Sequence, residues 1–188
     1  MSGWLYELCE RNDEVVKRIL KFILVCLVCL GISACTSDVE PFKIVDISAS
    51  QLQEKMDNME SFVVIIERDN CPFCEKLTEY IENTEKEHPG LVLYRIDTTD
   101  YGLSMISEET RRLTSSTEDG KIILDMAPYF LYTPSMYVIK EGKPIESGIG
   151  YSEVNHSVSL WGLDSEVDFN TAKMEEFWDF LERTENFN

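Results

Sequence analysis

The stretch whose reading decides the fold is Phe62-Val63-Val64-Ile65-Ile66-Glu67-Arg68-Asp69-Asn70-Cys71-Pro72-Phe73-Cys74. Its first half, preceded by Ser61, is a continuous apolar run rich in β-branched residues. That pattern predicts a central strand buried on both faces. Its second half is a Cys-x-x-Cys pair leading into Glu75 to Glu87, where Leu77, Tyr80 and Ile81 recur at helical spacing and Pro89-Gly90 supplies a stop. A cysteine at a helix N-terminus meets free backbone N–H groups and the positive end of the macrodipole. Both favour the thiolate, the attacking species in thiol chemistry. Pro72 has a fixed φ and no N–H, which suits the first helical turn. The second cysteine, one turn deeper, is expected to be the more buried, placed to attack a mixed disulfide formed by the first. Cys71 is therefore the expected nucleophile and Cys74 the resolving thiol. Asp69 and Glu75 disfavour a thiolate between them, and Arg68 and Lys76 oppose that effect.

Two other uses of the pair compete. A zinc site wants four ligands, and the only histidines, His88 and His156, lack paired spacing. No metal is expected. An inert structural disulfide across three residues would close too small a loop to stabilise the chain much.

Outward from the motif, Phe42 to Ile47 predicts a strand. Ser48 or Ser50 can cap a helix through about Met59, and Ser50 with Gln53 has capping-box spacing. Leu91 to Ile96 reads as a second buried strand. Thr98 to Met126 is polar, with a helix expected near Ile106 to Ser115. Met136 to Ile139 and Lys143 to Ile149 flank a Glu141-Gly142 turn, a hairpin. Ser152 to Phe169 reads as irregular. Thr171 to Arg183 reads as a closing amphipathic helix with Met174, Phe177, Trp178 and Leu181 on one face. Buried strands alternating with helices, then a hairpin, predict an α/β fold: a central mixed sheet with helices on both faces.

The 188 residues suit one domain, two at most, and the 44% apolar, 28% charged composition is that of a globular chain. A formal net charge of −18 repels phosphate backbones and anionic headgroups, so no nucleic-acid partner is expected. The apolar run 22–32 is short against the roughly 20 residues a membrane span needs. It follows Lys17, Arg18 and Lys21 and ends in Ile32-Ser33-Ala34-Cys35, as a secretory signal peptide does. The same four residues resemble the bacterial lipobox, in which the cysteine becomes the lipidated first residue of the mature chain. Residues 1–34 are thus expected to be a cleaved lipoprotein signal, Cys35 the lipidation site and 35–41 a tether; an uncleaved anchor is the alternative. Glu7, Glu10, Asp13 and Glu14 are foreign to a signal opening, and a start further in, at Val16, fits better. Cleavage would leave only Cys71 and Cys74 free in the mature chain, with no sequence-distant staple for an exported protein.

Residues 42–183 resemble the thioredoxin family. The matching pieces are the strand Phe62–Ile66, the Cys71-Pro72-Phe73-Cys74 motif, Tyr94 to Asp97, Thr133-Pro134 before a strand, the Lys140 to Lys143 turn, and Gly148 or Gly150 before the last helix. The resemblance implies a thioredoxin-like domain over 42–188, with insertions near 99–127 and 151–169 that border the active-site end. Those insertions serve either a partner surface, to which Tyr151 and Trp161 could belong, or decoration. It also implies that Pro134 is cis and faces the cysteines, and that the Thr133 backbone binds an extended partner peptide. A lipoprotein with a Pro-aromatic centre is similar, more narrowly, to the bacteriocin transport accessory group of Gram-positive bacteria. Two departures stand out: Ile65 occupies the place of a buried acid that moves protons in many relatives, so either another group such as Glu67 or a water does that task or proton transfer is slower, and Asn70 replaces the usual tryptophan.

The function expected is an extracytoplasmic, membrane-tethered thiol–disulfide oxidoreductase acting on cysteines of exported proteins or peptides. It would need no soluble cofactor, only a membrane redox partner to reset the pair. The Pro-Phe centre favours isomerase or oxidase work over strong reduction. The alternative is a non-catalytic accessory module that binds an exported peptide or a transporter.

Overall fold

The computed structural model describes residues 39–107, 109, 112–127, 131–163 and 167–185. The expected leader at 1–34, the Cys35 site and the tether up to residue 38 lie outside the described residues. Nine strands are present among them: β1 (Lys43–Asp46), β2 (Phe62–Glu67), β3 (Val92–Asp97), β4 (Leu103–Met105), β5 (Leu113–Ser115), β6 (Ser135–Lys140), β7 (Lys143–Ser152), β8 (Ser157–Trp161) and β9 (Lys173–Glu176). The helices are α1 (Ala49–Asp57), α2 (Pro72–Thr84), α3 (Glu118–Met126) and α4 (Phe177–Glu185).

The strands other than β4 and β5 form one sheet in the order β1-β3-β2-β6-β7-β8-β9. β1, β3 and β2 run parallel, and β6 to β9 add on antiparallel. β2 is interior, and its continuous apolar run is used on both sides. Val63 and Ile65 pack with Leu77 and Ile81 of α2 and Phe177, Phe180 and Leu181 of α4. Val64 and Ile66 face the other way, onto Leu52 of α1 and Ile123 and Met126 of α3. This is the α/β mixed sheet, helices on both faces, that the residues predict, and it is thioredoxin-like. Each large side chain so buried contributes roughly 1.5–3 kcal/mol against exposure, before the cost of ordering it.

Local chemistry sets the boundaries. Ser48 caps α1: its hydroxyl accepts from Gln51 N at 3.2 Å while Gln51 Oε1 accepts from Ser48 N at 2.9 Å. The capping box is therefore Ser48–Gln51, two residues earlier than Ser50–Gln53. Between β6 and β7, Glu141 and Gly142 both have positive φ, 47° and 71°, the requirement of a tight hairpin turn whose twist matches its strands. Gly142 also lies against the Met56 carbonyl, where a Cβ would collide.

Three expectations are corrected. The helix predicted over Ile106 to Ser115 is absent at its described ends: Leu113–Ser115 pairs with Leu103–Met105 as a two-stranded hairpin. The helix starts instead at Glu118, capped by the Thr117 hydroxyl accepting from Gly120 N at 3.0 Å. Ser152 to Phe169 is not all irregular, because Ser157–Trp161 forms β8. The closing helix does not begin at Thr171. Lys173–Glu176 is drawn into the sheet by pairing with β8, and the Glu176 carboxylate then caps α4, accepting from Trp178 N at 2.8 Å and Asp179 N at 3.1 Å.

Candidate active site

β2 and β6 are antiparallel with Ile66 opposite Ser135. The chain leaving β2 therefore runs beside the chain about to form β6, and this register brings Cys71 to Thr133-Pro134. Asn70 turns the backbone in the left-handed region at φ 54°, which asparagine tolerates better than most residues. Cys71 then becomes the N-cap of α2, its Sγ accepting from Cys74 N at 3.2 Å, with Pro72 in the first turn. Cys71 and Cys74 are joined as a disulfide, their Cα atoms 5.2 Å apart. The Thr133–Pro134 peptide bond is cis. Thr133 covers the first sulfur: its carbonyl oxygen lies 3.4 Å from Cys71 Sγ, and its hydroxyl points at the same sulfur at 3.5 Å. Arg68 Nε donates to that hydroxyl at 3.3 Å. A guanidinium thus reaches Cys71 through one intervening side chain, a link no sequence pattern announces.

The expected exposure gradient is not present. Cys71 is 3% exposed and Cys74 5%, so the first cysteine is covered as fully as the second. Thr133, with its carbonyl and hydroxyl oxygens both against the sulfur, supplies cover on that side. Phe73, between them, is 55% exposed. Lys76 does not turn to the sulfurs: its ammonium sits 3.1 Å from Glu79 and 4.0 Å from Glu153.

A cavity of about 610 Å³ opens at the carboxyl ends of β1, β3 and β2, the usual place for a site beside parallel strands. Both cysteines line it, with Asp46, Glu67, Arg95 and Asp97. Arg95 grips Asp46 in a forked pair, 2.6 and 3.2 Å, which holds the Asp46 carboxyl below its ordinary range and raises Arg95. Glu67 behaves oppositely. Burial pushes its carboxyl from the ordinary 4.5 up to about 6; Arg95 works against this, and Asp97 and Asp46 add to it. Glu67 is two residues beyond Ile65, so strand alternation directs both to the same face. The cavity therefore holds a carboxyl that can carry a proton near neutrality, although position 65 itself is a buried isoleucine. Among the described residues no cluster of three or more His, Cys, Asp or Glu is arranged to hold a metal ion.

A second cavity, about 320 Å³, lies beside Thr133 and Phe73 and is walled by β7, β8 and β9. Tyr151 belongs to its lining, nearly buried, with its hydroxyl 2.8 Å from His156 Nδ1. Trp161 sits on β8 outside that lining, its carbonyl accepting from Ser147 Oγ at 3.0 Å. Ile149, Phe169 and Met174 also line the cavity, and no sequence motif marked them for function. Of the residues singled out for chemistry and substrate binding, Cys71, Cys74, Pro72, Phe73, Thr133 and Pro134 come together.

No protein-family model matches the sequence, and no curated protein matches it. Among solved structures the chain is similar to thioredoxins. Thioredoxin from Trypanosoma brucei brucei is 16% identical, with 62% of this chain and 85% of that one covered, at a TM-score of 0.39. Spinach chloroplast thioredoxin f is 11% identical, over 57% and 81%, and Chlamydomonas reinhardtii thioredoxin f2 is 8% identical, over 57% and 84%, both at 0.39. At that level the likeness adds little by itself. The strand order and the cysteine pair heading α2, with Thr133 and its cis bond to Pro134 alongside, carry the fold, which is thioredoxin-like.

Proposed function

We propose that the chain is a thiol–disulfide oxidoreductase tethered outside the cytoplasm by lipid on Cys35, acting on cysteines of exported proteins or peptides. The observation that supports the chemistry is the Cys71–Cys74 disulfide at the head of α2, pressed against Thr133. Starting oxidised, a partner thiolate attacks Cys71 Sγ and the Cys71–Cys74 bond breaks, leaving Cys74 as a thiolate. The partner's second thiolate then attacks the partner's sulfur in the mixed disulfide and releases Cys71. The partner leaves oxidised, the pair is reduced by two electrons, and the two protons lost by the partner thiols end on the cysteines. To Glu67, which lines the same cavity as Cys74, we assign the passing of a proton to that thiolate. The reverse sequence reduces a partner disulfide. A membrane redox partner resets the pair, and the Pro-Phe centre favours oxidation or isomerisation. The narrower tie to bacteriocin export accessories belongs to the same reading and rests on the Pro-aromatic centre and the lipobox-like segment.

The burial of Cys71 favours a second reading, in which the disulfide is closed off and the domain only binds an exported peptide or transporter. Exchange assays separate the two. Cys71→Ala should abolish exchange with a test disulfide, and Cys71→Ser/Cys74→Ser should fail to complement a deletion. Full complementation by the double variant would overturn the enzyme reading. For the tether, fatty-acid labelling should be lost in Cys35→Ser.

A further inference from the structure

β8, β9 and the segment around Phe169 have no part in the cysteine chemistry, yet they build the wall of the second cavity. Its floor is tied to the active site, since Gly150 N donates to the Pro134 carbonyl at 2.8 Å and Ile149 is nearly buried beneath. Its rim is unusual for a soluble surface: Phe73, Phe169 and Met174 are 55, 47 and 48% exposed around one depression. The chain has 35 acidic residues, and none lines this cavity. On the other side the same disulfide borders the 610 Å³ cavity, whose lining includes seven carboxylates against two guanidiniums. A segment crossing Cys71 therefore meets an uncharged apolar hollow on one side and a strongly negative one on the other. At about 320 Å³ the hollow is at the small end for whole small-molecule ligands, roughly 300–1,000 Å³, and suits bulky side chains better.

We propose that this hollow is a specificity pocket for the oxidoreductase reaction, taking a large apolar or aromatic side chain that lies within two residues of the partner's cysteine, with a basic residue on that cysteine's other side. Thr133 makes the connection, since it lines the pocket and touches Cys71 Sγ. The proposal rests on the oxidoreductase reading and names the substrate class of that site. Burial of an aromatic side chain there should favour the matching peptide by about tenfold or more, and the acidic side adds to it by steering.

The test uses the full chain carrying Cys74→Ser, reduced, with synthetic peptides presented as mixed disulfides with 2-mercaptoethanol. Cys71 thiolate attacks the peptide sulfur and releases 2-mercaptoethanol, and mass spectrometry follows the adduct. A Phe-x-Cys-Lys peptide should react about tenfold faster than Ser-x-Cys-Lys and faster than Phe-x-Cys-Glu, and Met174→Glu or Phe169→Glu should collapse the Phe/Ser ratio toward one. Equal rates for all peptides would overturn the pocket while leaving the redox reading intact. A protein inert even to neutral 2-hydroxyethyl disulfide would overturn the redox reading instead. A second arm then still decides the pocket: Cys-to-Ser peptides bound to the oxidised wild-type protein should shift the Met174 methyl resonance only when they carry Phe. A methyl that responds to protein concentration but to no peptide would overturn the proposal in favour of a second copy, and one already protected and displaced by no peptide would do so in favour of the chain's own apolar run at 22–32.

Discussion

Replacing Glu67 by glutamine removes one buried titration while nearly conserving shape. In the folded chain the carboxyl holds its proton up to about pH 6, while in the unfolded chain it loses it near the ordinary 4.5. Below 4.5 both states are protonated and the group contributes no pH dependence. Between 4.5 and about 6 the folded state binds the extra proton, so wild-type stability falls as pH rises. Above 6 both states are ionised, and the full penalty of a desolvated carboxylate remains. A gap of about 1.5 in pKa corresponds to about 2 kcal/mol. Glu67→Gln should therefore match the wild type near pH 4, apart from a constant offset, and gain about 2 kcal/mol on it by pH 7. Urea denaturation of the oxidised proteins at half-unit steps from pH 4 to 8 measures the difference, and a carbon NMR titration of the Glu67 carboxyl gives its midpoint directly. A stability difference flat across that range, or a midpoint at 4.5, would refute the reasoning that burial outweighs Arg95. In redox assays the same variant should slow exchange near pH 6 more than at pH 8.

Thr133→Val removes the hydroxyl aimed at Cys71 Sγ and should slow alkylation of reduced Cys71 at pH 6 by about threefold to tenfold, with Arg68→Met acting in the same direction and less strongly. Iodoacetamide kinetics would show it, and an unchanged rate would detach this pair from the thiolate. Ile65→Ala empties a site between α2, α4 and the sheet and should cost about 2–5 kcal/mol in chemical denaturation. Gly142→Ala forces a side chain into a left-handed turn against the Met56 carbonyl and should cost about 1–3 kcal/mol, more than alanine at Gly150, which meets nothing. Ser48→Ala should cost about 1 kcal/mol by uncapping α1.

What could be read from the residues was what local chemistry decides. The β-branched run of β2, the cysteine pair opening a helix with proline behind it, and the Glu141-Gly142 turn each carry their own instructions. What could not be read was decided by distant partners. Met174, Phe177, Trp178 and Leu181 have perfect helical spacing, yet Met174 sits on a strand because β8 offers it hydrogen bonds and Glu176 starts the helix one residue later. β4 and β5 are three residues each, too short for any periodicity to show. The approach of Thr133 to Cys71 followed only from the family resemblance, and no local pattern could show how fully it buries the sulfur, because Thr133 is 62 residues away and reaches it through the β2–β6 register.

The sheet ends on β1 and β9, four residues each, and both carry charge: Lys43 and Asp46 on one, Lys173, Glu175 and Glu176 on the other. A short, charged border is a poor template for strand addition by another molecule. Seven strands laid side by side would otherwise invite copies to zip together into polymers. Here the brevity and charge of each margin deny a second copy a long apolar strand to pair with, so crowding many copies onto one surface should leave them separate rather than fibrous.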